Sequence, residues 1–317
     1  MTSFFKAISA SLIMLTACSA AEDDAPVTVD WSAATIEDAV ASEFRTIEEK
    51  SRDMWRHPAE TLNFFDIQPS DTVVEIWPGG GWYSNILVPY LASGNGRLIA
   101  AHWDIESFEG ERRERFEQVI SDYVSHYDAT TSLSGTVILS TFSATTGALA
   151  EPNSVDAVLT FRNLHNWMAG DFAAKFFNDA YAALRPGGVL GIVEHRLPSS
   201  EEQNPRAVSG YVHEDFVRSL AAAAGFEAAG ESEINANPDD TADHPFGVWT
   251  LPPVSRSSDR SDNTPDGFDP ALYLAIGESD RMTMKFIKPV AAVAEEDTAA
   301  TEDNSSTSQD VSAAPAD

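Results

Sequence analysis

The chain has 317 residues, and 50 Asp and Glu against 20 Lys and Arg give it a formal net charge of −30. So acidic a surface repels phosphate backbones and excludes nucleic acid as a partner. A single cysteine, Cys18, excludes a disulfide framework.

Lys6 is followed by an apolar run from Ile8 to Leu15, far shorter than the roughly 20 residues that span a bilayer, so residues 1–20 read as a secretory signal outside the fold. Leu15-Thr16-Ala17-Cys18 resembles the bacterial lipobox. That resemblance implies cleavage before Cys18, diacylglycerol on its sulfur and a membrane tether; ordinary signal cleavage near Ala20 is the alternative. Either reading places the mature chain outside the cytoplasm, in the periplasm, without a cysteine thiol for catalysis or metal binding. Residues 21–34 are expected to be a flexible lead-in, 35–290 one domain with a substantial core, and 291–317 a disordered acidic tail.

Within the domain, Thr35 is expected to cap a helix running to residue 56, with Ile36, Val40, Phe44 and Ile47 at helical spacing. Pro58 opens a second helix to Phe65. The expected strands are Thr72–Trp77, Arg97–His102, Thr136–Leu139, Val155–Phe161 and Val189–His195. A sixth follows Phe226, and Met282–Ile287 alternates in the manner of an antiparallel last strand. Expected helices are Trp82–Leu91, Phe108–Tyr127, Phe172–Leu184 and Glu214–Ala224, and Val254–Asp269 reads as a long surface loop. Strands this apolar are buried on both faces. The alternation predicts an α/β fold, a doubly wound, mostly parallel sheet flanked by helices.

The run from Val73 to Leu87, VVEIWPGGGWYSNIL, joins a strand to a helix through a glycine turn. Such a turn brings free amides and the positive end of a helix dipole to a crevice. Three more pieces keep its company: Asp156-Ala157-Val158 opening strand four, Leu164-His165 closing it, and Leu184-Arg185-Pro186-Gly187-Gly188 before strand five. In this order and spacing they resemble a class I S-adenosylmethionine-dependent methyltransferase. EIWPGGGWY, with the later Ser279-Asp280-Arg281-Met282 and Lys285-Phe286, resembles an exported bacterial branch of predicted methyltransferases. The resemblance implies a Rossmann-like methyltransferase fold, S-adenosylmethionine as cofactor and a small-molecule acceptor; no obligate protein partner is evident.

Mapped onto this sequence, the resemblance implies that Glu75, Gly79, Gly80 and Gly81 hold the methionine part of the cofactor. It places His102 or Asp104 on the ribose and Phe142 beside the adenine. Three positions depart from the pattern. Trp77 stands where the first glycine belongs and must either point into the core or narrow the pocket. His102 falls at the usual ribose-binding acid, and Ser140-Thr141-Phe142-Ser143 replaces an acid after strand three. The resemblance also brings Asn163, His165 and Asn166 to the acceptor, with His165 as a general base and Glu194 at the crevice. For each, packing or capping is the alternative.

Glu194 and His195 with His165 form a possible metal group, joined by Asp239, Asp240, Asp243 and His244. The absence of close ligand spacing leaves the expected metal complement at none. Trp77, Trp82, Tyr83, Trp103 and Trp167 are either an acceptor pocket or core and rim packing. The leading expectation is a methyltransferase working outside the cytoplasm. The alternatives are a catalytically inactive small-ligand-binding protein on the same scaffold and a metal-dependent hydrolase.

Overall fold

The computed structural model describes residues 29–290. The expected signal, Cys18, most of the lead-in and the tail from 291 lie outside the described residues. Seven strands form one sheet: β1 Thr72–Ile76, β2 Arg97–Trp103, β3 Val137–Phe142, β4 Val155–Phe161, β5 Leu184–His195, β6 Glu227–Ser232 and β7 Arg281–Ile287. Their spatial order is β3-β2-β1-β4-β5-β7-β6. β1 to β5 run parallel, and β7 lies antiparallel between β5 and β6. This is the expected doubly wound, mostly parallel sheet with an antiparallel last strand.

Successive side chains of a strand point to opposite faces, and here both faces are apolar. Val74, Ile76, Val158, Leu190 and Ile192 join one core with Phe176, Phe177, Ala180, Val217 and Ala221. Val73, Leu98, Leu159 and Val193 join the other with Ile36, Leu62, Ile86, Leu87 and Tyr123. The covering helices are α1 Ile36–Ala41, α2 Ile47–Lys50, α3 Asp53–Arg56, α4 Pro58–Phe64, α5 Ser84–Ala92, α6 Gly110–Asp128, α7 Leu164–Ala169, α8 Ala173–Ala183, α9 Glu214–Ala224 and α10 Pro270–Ile276. No helix among the described residues is long and apolar enough to cross a membrane.

The single helix expected over 35–56 is three short ones. Thr35 does cap α1, accepting from the Asp38 amide. Thr46 and Glu49 then form a reciprocal capping box that starts α2 afresh, and left-handed His57, φ 38°, ends α3. Two strong local start signals outweigh the apolar periodicity that runs through them. α7, α10 and a short strand outside the sheet, Pro245–Val248, have no counterpart in the sequence reading. The Leu184–Gly188 run, expected before strand five, is already the start of β5, with a register shift between Val155 and Ala157 and Gly187 at φ 83°. The carboxyl ends of β1, β2, β4 and β5 meet at one sheet edge, the place where open α/β sheets bind ligands.

Candidate functional site

At the end of β1 the chain turns through Trp77, φ 50°, and Gly79, φ 63°, before α5 begins. A side chain at Gly79 or Gly80 would meet no atom within 4 Å. Both line a cavity of about 470 Å³ together with Glu75, Tyr83, Arg162 and Asn163. Gly81 differs. At φ 90°, an added Cβ would stand 3.2 Å from the Tyr123 ring and the Tyr127 hydroxyl, so this glycine is required by packing against α6 and lines no part of the cavity. Glu75 is 2% exposed and accepts a hydrogen bond from Ser84 Oγ at 2.6 Å. Burial pushes its carboxyl up to about 7, against the opposing pull of Ser84 and Arg162.

Trp77 points away from the glycine turn. Its Nε1 donates to the Phe142 carbonyl at 2.8 Å, and its ring packs among Trp103, Trp167 and Phe172. Holding a tryptophan at positive φ costs about 1–3 kcal/mol, offset by this aromatic packing. The indole forms a wall common to the first cavity and a second, of about 640 Å³, lined by Trp103, Asp104, Phe108, Phe116 and Phe172. Asp104 accepts from Ser143 Oγ at 3.2 Å.

Two expectations at this end need correcting. His102 lines neither cavity; it is buried edge-on to Tyr123 with both ring nitrogens unpartnered, and burial holds its pKa down at about 4. On β2 it faces the α6 layer, and because the strand ends at Trp103 the chain beyond it brings Asp104 to the crevice. Phe142 does border the second cavity, but it is fully buried between Trp77, Trp167 and Phe176. Trp103 and Phe116, centroids 4.4 Å apart, present the larger aromatic surface there.

Beyond β4, Asn163 Nδ2 donates to the Ile76 carbonyl at 2.9 Å and borders both cavities, fastening the ends of β4 and β1 together. His165 Nδ1 lies 3.0 Å from Glu194 Oε1, and its ring lines a third cavity of about 240 Å³ with Asn166, His195 and Trp249. Glu194 is completely buried. Its oxygens accept from the amides of Leu164 at 2.6 Å, His165 at 3.4 Å and His195 at 2.9 Å. The expectation that it faces an acceptor is therefore corrected: it clamps the start of α7 and orients His165.

His165, Glu194 and His195 do converge, with ligand atoms within 4.8 Å of one another. Asp240 and His244 pair elsewhere at 2.7 Å, with Tyr211 also on Asp240, and Asp239 and Asp243 are not in the converging group. Burial, then the charges of His165, Arg281, Arg162 and Arg56, depress the His195 proton affinity well below its ordinary value. Trp82 lies under the Arg45 and Arg56 guanidiniums, Tyr83 stacks on Phe161 at 3.5 Å, and Trp167 is wholly buried. Of the five aromatics, only Trp167 is core alone; the others border a cavity.

The sequence reading missed an arginine cluster. Glu278 accepts from Arg52 Nε at 2.7 Å, from Arg56 Nε at 3.0 Å and from Arg281. Burial opposes its charge, but Arg281, Arg56, Arg162 and Arg52 together hold the carboxyl down at about 2. Arg162 sits at φ 62° and borders both the first and third cavities. Arg52 and Arg56 lie four apart and Glu278 and Arg281 three apart, but these two pairs and Arg162 come from distant parts of the chain, with no spacing that joins them.

No protein-family model matches the chain, and no curated protein matches it. Among solved structures it is similar to an S-adenosylmethionine-dependent methyltransferase from Aquifex aeolicus, at 16% identity over 58% of this chain and 87% of that one, TM-score 0.46. It is similar to a TehB-like methyltransferase from Corynebacterium glutamicum, at 13% identity over 76% and 97%, TM-score 0.41. The cyclase SpnF gives 16% identity over 80% and 92%, TM-score 0.46. Likeness at this level concerns the path of the chain and not the reaction.

Proposed function

We propose that this chain is a class I S-adenosylmethionine-dependent methyltransferase that acts on a small-molecule acceptor. The observation that carries the reading is the open cradle at Gly79 and Gly80 beside buried Glu75, with Asp104 at the end of the neighbouring strand bordering an aromatic cavity. A zwitterionic head, a diol and a flat ring need three such surfaces. Gly79 and Gly80 offer backbone that a ligand can approach closely, Glu75 takes the ammonium, Asp104 takes the ribose hydroxyls, and Trp103 and Phe116 flank the adenine. S-adenosylmethionine supplies, when bound, an electrophilic methyl group on a sulfonium. The chain's own work is positioning and exclusion of water. Asn163 holds the floor between the two strand ends. His165, its Nδ1 fixed by Glu194, presents Nε2 as the base that takes an acceptor's proton.

The site of action in this reading is outside the cytoplasm. The signal at 1–20 and the lipobox at 15–18 support a periplasmic lipoprotein tethered through Cys18, in an exported branch of the family. Mass analysis of the N-terminal peptide tests this: diacylglyceryl-Cys18 is expected, and an unmodified mature terminus near Ala20 overturns the tether. Calorimetric titration of the chain with S-adenosylmethionine and S-adenosylhomocysteine tests the donor site. Saturable binding is expected, and no heat at about millimolar ligand with folded protein refutes the reading.

A further inference from the structure

The third cavity carries charges that the methyl donor alone leaves unanswered. Four guanidiniums, from Arg52, Arg56, Arg162 and Arg281, surround Glu278, and of the other carboxylates Glu75 is acted on by Arg162 across the first cavity. Three of the four hydrogen-bond Glu278. The Arg162 side chain makes no hydrogen bond or ion pair among the described residues, and it borders the cavity that holds His165. It is not placed there by easy backbone geometry: φ 62° is a left-handed conformation, strained for arginine and maintained only where the surroundings over-determine it. Arg56, 2% exposed, lines the same wall and gives Glu278 only its Nε, leaving the rest of its fork uncommitted. The remaining lining joins polar His165, Asn166, His195 and Ser279 with an apolar wall of Val248, Trp249, Leu251 and Pro252. In a protein of net charge −30, a local surplus of arginine beside an apolar wall favours an anionic ligand.

We infer that the acceptor, on the methyltransferase reading above, is a small organic oxyanion with an apolar body, its carboxylate or phosphate held by the Arg162 fork and its body against Trp249, within reach of His165. Arginine matches either oxyanion with two parallel hydrogen bonds, and a buried charge-assisted pair discriminates strongly against a neutral isostere.

The test titrates the chain with benzoate, phenyl phosphate and neutral benzamide, read by calorimetry and by tryptophan fluorescence, with S-adenosylhomocysteine titrated separately. At least one oxyanion should bind roughly tenfold or more tighter than benzamide. Tighter benzoate identifies a carboxylate site and tighter phenyl phosphate a phosphate site. Arg162→Gln, with wild-type circular dichroism, should abolish the preference, and Arg162→Lys, which keeps the charge without the fork, should retain part of it. Equal binding of benzamide, a preference unchanged in Arg162→Gln, or no oxyanion binding at about 10 mM overturns the inference. The wild-type comparison decides even where the glutamine variant does not fold. A chain that takes the oxyanions but not S-adenosylhomocysteine supports the anion site and refutes the donor reading; the reverse refutes the anion site alone.

Discussion

Replacing Glu278 with glutamine removes the carboxylate to which Arg52, Arg56 and Arg281 hydrogen-bond while keeping its shape. The carboxyl is held at about 2 in the fold against 4.5 when free, and each pH unit of such a difference is worth about 1.4 kcal/mol, so its ionised form stabilises the protein by about 3 kcal/mol. The amide imitates the protonated acid, and the loss should therefore be of that size. An independent route agrees: breaking one partner of a buried ion pair costs about 3–5 kcal/mol. Glu278 is only 3% exposed, so solvent screening takes little away. Since the folded pKa is depressed, this stability is fully present above pH 4.5 and declines as pH falls toward 2. Urea unfolding at neutral pH should show a midpoint shift equivalent to about 3 kcal/mol, or roughly 6–12 °C in melting temperature for a domain of this size. The gap from wild type should narrow as the pH is lowered below 4.5. A loss under about 1 kcal/mol at pH 7, or a gap indifferent to acid, would refute the idea that Glu278 neutralises the cluster.

The three loop glycines should separate. Gly80→Ala, with open space around its Cβ, should leave stability within about 0.5 kcal/mol yet weaken S-adenosylhomocysteine at least tenfold, whereas Gly81→Ala should cost about 1–3 kcal/mol through its positive φ and the two tyrosines. Equal stability losses in urea melts would count against a ligand cradle. Glu75, its carboxyl raised to about 7 by burial, contributes stability that is present below pH 4.5 and lost as pH rises through 7, so Glu75→Gln should gain about 1–3 kcal/mol at pH 8. Because an ammonium partner needs the ionised acid, S-adenosylhomocysteine affinity should rise about tenfold from pH 6 to pH 8 in wild type; a flat calorimetric profile sinks the contact. Glu194→Ala strands three amides and should cost about 3 kcal/mol or more, against about 1 kcal/mol for His165→Ala. Comparable losses in the two variants would show that Glu194 is no clamp.

Chain order and periodicity were enough to reveal the seven strands of the sheet, its doubly wound order and the glycine turn beside Glu75, because each rests on contacts between neighbours in sequence: apolar alternation, proline and glycine breaks, a strand running straight into a helix. They did not settle which side chains face the crevice. His102 and Asp104 lie two residues apart, so in a regular strand they share a face; β2 ends at Trp103, and only the course of the chain beyond it sends Asp104 to the cavity and leaves His102 in the core. Gly79, Gly80 and Gly81 are equivalent as letters, and α6 alone makes the third a packing residue. The arginine cluster was not legible as one group, because the local pairs Arg52–Arg56 and Glu278–Arg281 and the distant Arg162 are brought together only by the fold. Backbone preference is written locally; the field inside a cavity is a sum over charges that only folding makes neighbours.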